Sequence, residues 1–426
     1  MSSSNLKKQT DFEQFALHKT LKKGISDAGF KSARPIQLQT IPAGLSGKDV
    51  LGLAQTGTGK TAAFALPILN RLLTKPSKCP GVLVLAPTRE LATQIAKEFR
   101  MLSQFTNIKI TTVYGGISIH KQISGLRRKP EIVIGCPGRV LDLMRRGALY
   151  LGAVKTLVLD EADHMFDMGF LPDIQKILAE LPESRQNLLF SATMPKEIRR
   201  LANKILNKPH IAELADSTPA STIDHALYLI PEKRKQDLLK HILNSADCSS
   251  VIVFTRTKHR ARRLALQLSK LGHRAVGLQG NMSQAQRDKA MGGFRTGHFD
   301  ILVATDIAAR GIDVSNVSYV INFDVPGTPE AYTHRIGRTG RSDKSGIACT
   351  FVTKEDRGWV RSTERMIGAP IPRRMVEGLW QISRISRYVA KPYIKTHVAL
   401  SQTGRNEVTD LNQHEKDVVK NALANE

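Results

Sequence analysis

Ala54-Gln-Thr-Gly-Thr-Gly-Lys60-Thr61 follows the β-rich run Val50–Ala54 and leads into an apolar, helix-like stretch, Ala62–Leu73. Strand, glycine-rich turn and helix in that order are the context a phosphate loop requires. Glycines let successive backbone N–H groups turn toward phosphate oxygens, and the helix N-terminus adds a favourable dipole. In this reading Ala54, Gln55, Thr56, Gly57, Thr58 and Gly59 line the phosphates, Lys60 reaches the outer two and Thr61 offers a hydroxyl to Mg²⁺. Ala54 stands where the general pattern has its first glycine. A glycine turn that merely caps a helix is the bland alternative, and the Lys-Thr pair in this context argues against it.

Outward from the loop, short Val/Ile/Leu runs recur, each followed by polar or glycine-rich residues and then a helical stretch. In the first half they are Val50–Ala54, Val82–Ala86, Glu131–Ile134, Thr156–Leu159 and Asn187–Phe190. In the second half they are Val251–Phe254, Asp300–Ala304 and Val317–Ile321. Continuous apolar runs alternating with helices predict parallel sheets covered on both faces, an α/β fold. Ligands of such sheets sit beyond the carboxyl ends of the strands, so the residues after each run are where chemistry is expected.

A chain of 426 residues accommodates two or three domains, taking roughly 150 residues per domain. The polar stretch Glu213–His225, broken by Pro219, reads as an interdomain linker. The expected division is 1–215, a linker at 216–224, a second α/β domain at 225–370 and a C-terminal extension at 371–426. No sequence repeat at a fixed period joins the two halves. Cys79, Cys136, Cys248 and Cys349 lack the close spacing of a zinc site and read as reduced thiols. No run is long and apolar enough for a membrane span, and the opening residues lack the apolar core of a secretion signal, so a cytoplasmic location is expected. The formal net charge of +25 favours a polyanionic partner, nucleic acid above all. Charge alone does not separate RNA from DNA or from a ribosome surface.

Thr156-Leu-Val-Leu-Asp160-Glu161-Ala-Asp163 places acids just past a buried strand. The first acid of such a pair can hold Mg²⁺, directly or through water, and the next can orient and deprotonate an attacking water. An isolated acidic cluster is more often a solvated helix cap; beside Lys60-Thr61 it reads as metal-binding. Asp160-Glu-Ala-Asp163 resembles the name-giving motif of the DEAD-box RNA helicases of superfamily 2. The resemblance spans about residues 10–370, and it implies two tandem RecA-like domains, each a mostly parallel sheet with helices on both faces, plus a short basic C-terminal extension.

The resemblance also implies the roles of residues. Gln37 would read adenine, with Phe30 stacking on the base and Phe12 as an isolated upstream aromatic. The family's Pro-Thr pair ahead of Pro35-Ile36-Gln37 is Ala33-Arg34 here. Lys60, Asp160, Glu161, Arg338 and Arg341 would be catalytic, the two arginines acting on the γ-phosphate. Thr61 and Asp160 would hold Mg²⁺. Gly311 and Asp313 would border the ATP from the second domain, Asp313 at the ribose. Asp163, Ser191, Thr193 and His334 would couple the nucleotide to RNA, with the Ser191 and Thr193 hydroxyls bonding Asp163. In His334-Arg335-Ile-Gly337-Arg338-Thr-Gly340-Arg341 the arginines recur every third residue, a step of about 4.5 Å if the segment is helical.

RNA contacts would come from Pro87, Thr88, Arg89, Gly115, Gly116, Pro137, Gly138 and Arg139 in the first domain. Thr255, Arg256, Gln286, Arg287 and Thr305 take the corresponding places in the second. Cys136 replaces the usual threonine. Such contacts reach phosphate and sugar, so single strands and short duplexes would bind with weak sequence preference. The implied activity is RNA-stimulated ATP hydrolysis that closes the domains and separates short duplexes locally. The short form and Asp167-Met-Gly-Phe170 look like the bacterial RhlE-type group, which suggests a monomer working on ribosomal particles or in RNA-decay complexes. In the extension, Arg384, Arg387, Tyr388, Lys391, Tyr393 and Lys395 interleave charge with aromatic rings, a pattern that suits either a stacking surface or a solvated tail. Two other readings stay open on sequence: a superfamily 2 DNA translocase, and an RNA annealer without useful turnover.

Overall fold

The computed structural model describes residues 12–55, 57–75, 80–214, 222–245, 249–309, 317–340 and 345–376. Seven strands form the first sheet: β1 (Val50–Leu53), β2 (Val82–Leu85), β3 (Ile110–Val113), β4 (Ile132–Gly135), β5 (Thr156–Leu159), β6 (Gln186–Ser191) and β7 (His210–Glu213). Seven more form the second: β8 (Ile223–Leu229), β9 (Val251–Phe254), β10 (Ala275–Leu278), β11 (Ile301–Ala304), β12 (Tyr319–Asn322), β13 (Gly346–Val352) and β14 (Arg373–Arg374). Their orders are β3-β4-β2-β5-β6-β1-β7 and β10-β11-β9-β12-β13-β8-β14, and every pairing is parallel. Counted from its own first strand, the second sheet repeats the order of the first. The α/β expectation of two parallel sheets is met, and the shared architecture exists without a sequence repeat.

Both faces of each sheet are buried, which is why the central strands read as unbroken apolar runs. On β2, Val82 and Val84 enter one core with Phe64, Phe99 and Phe190, while Leu83 and Leu85 enter another with Val133, Leu157 and Met165. On β9, Ile252 and Phe254 pack with Leu302, Val320 and Tyr332, while Val251 and Val253 pack with Ile301, Val303 and Phe351. The Phe64 ring, on the helix Lys60–Thr74, lies 5.3 Å from that of Phe190 on β6 and 6.0 Å from that of Phe99. These contacts fix the helix that carries the phosphate loop. A second helix, Pro35–Leu45, packs on it so closely that a Cβ at Gly44 would meet Pro67 at 2.8 Å. That close approach brings Gln37 to the loop.

Two expected boundaries shift. β8 begins at Ile223, inside the stretch expected as linker, because Gly346 at the start of β13 pairs with it. The second sheet also runs past residue 370: Arg373 and Arg374 add a parallel strand to β8, and Arg374 pairs with Asp224 at 2.8 Å. Residues 215–221, the rest of that linker, and residues 377–426, which include the basic and aromatic side chains of the extension, lie outside the described residues. Among the described residues no helix is long and apolar enough to cross a membrane. Cys136 and Cys349 are buried and not in a disulfide among the described residues; Cys79 and Cys248 fall outside the described residues.

Candidate active site between the two sheets

The phosphate loop leaves the carboxyl end of β1. Gly57 and Gly59 adopt φ of +89° and +93°, a region open to glycine and strained for most residues. At Gly59 an added Cβ would also meet the Gln37 amide nitrogen at 2.6 Å. Thr58 Oγ1 donates to the Gln55 carbonyl at 2.8 Å. Lys60 and Thr61 open the helix and are buried, and Lys60 Nζ donates to the Ala54 carbonyl at 2.9 Å. Thr56 lies outside the described residues.

Gln37 is 1% exposed. Its Nε2 donates to the Gly59 carbonyl at 3.0 Å and its Oε1 accepts from the Arg34 backbone at 2.8 Å. One N–H and one lone pair of the amide are left for a base edge. Arg34, where the family has threonine, donates its guanidinium to the Gly57 carbonyl. The replacement therefore tethers the loop from outside rather than emptying the pocket. Phe30 is half-buried and Phe12 packs edge-on against it at 5.8 Å between centroids. Phe12, at 3% exposed, is thus a core residue that supports Phe30.

The acids follow β5. Asp160 is buried, and burial pushes its carboxyl up to about 6 even though Lys60 pulls the other way. Glu161 has φ of +52°, a left-handed conformation uncommon for a side chain of its size. It caps the helix Ala162–Asp167. Burial would raise its carboxyl, but His164, Lys60 and Arg338 hold it well below the usual range. Glu161 Oε2 lies 2.9 Å from His164 Nδ1. Asp163, also lowered by His164, His334 and Lys60 against the opposing effect of burial, accepts from both the backbone N–H and the hydroxyl of Thr193, each at 2.9 Å. The Ser191 hydroxyl behaves differently from the expectation. It accepts from the Asp163 backbone N–H at 3.2 Å and donates to the Thr193 carbonyl at 2.7 Å, so only Thr193 reaches the carboxylate.

The second sheet meets this cluster through the helix Pro329–Ile336. His334 Nδ1 lies 3.0 Å from His164 Nε2, with the two rings perpendicular, and His334 Nε2 lies 3.7 Å from Asp163 Oδ2. Arg335 points elsewhere: it grips Asp306 with two nitrogens at 2.5 and 2.7 Å, bonds the Asp324 carbonyl at 2.7 Å and covers the Phe254 ring. The helix ends at Gly337, so Arg338 lies past its last turn and the arginine spacing is not a helical rise. Arg338 is 4% exposed and close enough to lower both Glu161 and His334. A cavity of about 20 Å³ between the halves is bounded by His164, Asp306, His334, Arg335 and Arg338, among others. Arg341, Gly311 and Asp313 lie outside the described residues.

The expected RNA-facing residues all follow strands at the same ends of the two sheets. Pro87, Thr88 and Arg89 follow β2, where Thr88 caps the helix Arg89–Leu102 by accepting from Leu91. Gly115 and Gly116 follow β3, and Gly116, at φ of +80°, lies against the Arg89 guanidinium. Pro137, Gly138 and Arg139 open the helix after β4, and Arg139 donates to the Ile117 carbonyl at 3.4 Å. Cys136 caps that helix without a side-chain bond, its thiol pushed up to about 12 by burial. After β9, Thr255 is fully buried with its hydroxyl toward the Thr257 carbonyl, whereas Arg256 is exposed and its backbone N–H is held by Asp324 at 2.8 Å. Thr305 follows β11 and is half-buried. Gln286 and Arg287 lie on the helix Gln284–Arg295; Gln286 is exposed, and Arg287 reaches Glu90 of the first half at 2.7 Å. Arg89 also crosses, donating to Gln284 at 3.1 Å.

His164 and Gln284 were not among the expected site residues, and Glu90, expected within the RNA-facing segment that starts at Pro87, instead pairs with Arg287. The signal for His164 was available, since a histidine three places after Glu161 on a helix shares its face. For Glu90 and Gln284 no local pattern points across nearly two hundred residues of chain.

Two family models match: DEAD/DEAH box helicase over residues 34–201 and Helicase conserved C-terminal domain over residues 234–343. The ATP-dependent RNA helicase CshA of Listeria monocytogenes is 46% identical over 356 residues, 83% of this chain and 68% of that protein. The DEAD-box ATP-dependent RNA helicase CshA of Bacillus subtilis is 45% identical over 355 residues, covering 83% and 72%. Among solved structures, S. cerevisiae Dbp5 bound to RNA and ADP BeF3 superposes with a TM-score of 0.78 at 34% identity, covering 86% of this chain and 95% of that one. Mss116p bound to ssRNA and AMP-PNP gives 0.77 at 29% identity, covering 86% and 78%.

Proposed function

The chain belongs to the DEAD-box ATP-dependent RNA helicases, and from that membership we propose how its own residues divide ATP hydrolysis between the two sheets. It is an enzyme that hydrolyses ATP with RNA as its partner. In the proposed division, residues 1–215 hold the triphosphate and residues 225–370 complete the site, with the basic extension appended. The phosphate loop, Lys60 and Gln37 bind ATP, and Phe30 flanks the base. Thr61 and Asp160 present a hydroxyl and a carboxylate, the hard oxygen donors that suit Mg²⁺. When bound, Mg²⁺ offsets the charge that develops on the phosphates.

Glu161 takes the proton of the attacking water. The surrounding cations hold its carboxylate ionised at neutral pH, the form that can orient the water, and at the same time weaken it as a base. Arg338 and Arg341 offset negative charge on the γ-phosphate as it leaves. Gly311 and Asp313 close the ribose side. RNA lies along the strand ends through the backbone and side chains of Pro87–Arg89, Gly115, Gly116, Pro137–Arg139, Arg256, Gln286 and Thr305. RNA stimulates turnover because it favours the state in which the second sheet's cations reach the first sheet's acids. The observation that carries this reading is the approach of His334 Nε2 to Asp163 Oδ2 at 3.7 Å, with the buried Arg338 near enough to lower Glu161. The test is steady-state ATPase with single-stranded RNA or single-stranded DNA of one sequence: RNA stimulates and DNA does not. Equal stimulation by DNA favours a DNA translocase, and a rate flat in RNA favours an annealer. A monomer acting in the cytoplasm on ribosomal particles or in RNA decay fits the chemistry; crosslinking in cells followed by sequencing of the bound RNA tests that role.

A further inference from the structure

His164 occupies a place that the catalytic scheme above does not use. It is 1% exposed, four residues from Asp160, and each ring nitrogen has a different partner. Nδ1 meets Glu161 Oε2 at 2.9 Å within the first half, and Nε2 meets His334 Nδ1 at 3.0 Å on the second half. The rings stand at 90° with centroids 4.5 Å apart, so the approach is edge-on and directional.

We propose that His164 is a positioning residue which makes the orientation of the Glu161 carboxylate depend on the arrival of His334. This rests on the assignment of Glu161 as the base. Three observations support it. Glu161 is held in a left-handed conformation at the start of the helix Ala162–Asp167. Such conformations are strained and persist only where surroundings enforce them. His164, on the same helix, supplies one enforcing bond. Secondly, both ring nitrogens are engaged, Nδ1 by Glu161 and Nε2 by His334, so the ring cannot turn toward or away from one partner without moving against the other. Thirdly, the His164 ring is buried and meets the His334 ring edge-on at 4.5 Å between centroids, so a turn of one ring is felt by the other. When the second sheet withdraws, Nε2 loses its anchor and the ring is free to turn, taking the carboxylate with it.

The experiment compares kcat and the KM for ATP, at saturating RNA, in the full chain carrying His164→Asn, His164→Leu, His334→Gln or the first and third together. Asparagine places an amide nitrogen near the Nδ1 position and keeps the Glu161 bond; leucine keeps only bulk. The expected result is a kcat lowered about tenfold by Asn and about a hundredfold by Leu, with KM within about threefold. His334→Gln, which keeps an amide near Nε2 toward Asp163 and drops Nδ1, should cost about tenfold alone and under about twofold in the His164→Asn background, because both remove the same link. A His164→Leu kcat within about twofold of wild type overturns the inference, as do losses that multiply in the double variant. Equal losses in Asn and Leu that track a fall in melting temperature also overturn it. Glu161→Gln is run alongside: near-normal turnover there sinks the base assignment itself, whereas an inactive Glu161→Gln with a normal His164→Leu sinks only the role of His164.

Discussion

Arg287 reaches across the molecule to Glu90, guanidinium to carboxylate at 2.7 Å, and ties the helix that follows β10 to the helix that follows β2. Both side chains are nearly buried, at 10% and 14% exposed, and Arg287 also donates to the Ala308 carbonyl. Removing one partner leaves the other without its charge-assisted bonds, a loss of roughly 1.5–3 kcal/mol. Glu90→Ala is therefore expected to weaken RNA binding in the presence of a non-hydrolysable ATP analogue by at least about tenfold. RNA binding without nucleotide should change little. Fluorescence anisotropy with labelled RNA measures both, and equal weakening in the two conditions would show that the pair does not act on closure.

Glu161→Gln keeps the shape of the carboxylate and removes its basicity. ATP binding should persist while hydrolysis falls by about a hundredfold or more. The variant should stay on RNA in the presence of ATP, so dissociation slows as turnover stops. Single-turnover hydrolysis and RNA off-rates measured together test this; turnover near that of the wild type would displace Glu161 from the role of base.

Arg338→Ala removes a buried cation facing Glu161. Loss of an arginine finger in related phosphoryl-transfer enzymes costs about 10³–10⁵ in rate. RNA-stimulated ATPase should fall by about that much, with the KM for ATP shifted less than tenfold. A kcat preserved within about threefold would place Arg338 outside the reaction.

His334 sits with its ring pulled down to about 3 by burial, by His164 and by Arg338. In the closed arrangement it resists a proton that it accepts when withdrawn, near its ordinary value of 6.5. A histidine lowered in this way weakens the closed state as pH falls from about 6.5 toward about 3. Glu161 and Asp163, both held below the usual range, stay ionised across the upper part of that window. Asp160, raised to about 6, titrates within it but is common to wild type and variant. Analogue-dependent RNA affinity should thus fall between about pH 7 and about pH 5, and fall less in His334→Asn. Parallel pH profiles for the two proteins would rule His334 out as the source.

RNA affinity should drop steeply with added salt, because each phosphate contact releases counterions. A log–log slope near zero in a titration with KCl would contradict a phosphate-reading surface.

Much of the fold was legible because the central strands are buried on both faces and therefore apolar throughout. Val82–Leu85, Thr156–Leu159 and Val251–Phe254 are of this kind. The strands that escaped notice lie mostly at or near the sheet edges. Ile110–Val113 and Ala275–Leu278 are half-exposed over most of their length and His210–Glu213 is exposed at all but Ala212, so their sequences lack an unbroken apolar run. Lys60, Asp160 and Glu161 were readable because a phosphate loop and its acids depend on local spacing. The edge-on meeting of His164 with His334 was not, since it arises from the docking of two halves, 170 residues apart in the chain. For the same reason, Arg34 read as a departure from pattern until its bond to Gly57 gave it a place.

The repeated strand order has a further consequence. Each half buries its own two cores, so each is a finished body before the catalytic groups meet. Turning the reaction off requires only a change of posture between two solid pieces, with no part of either needing to melt. A separation of that kind would leave all four cores covered.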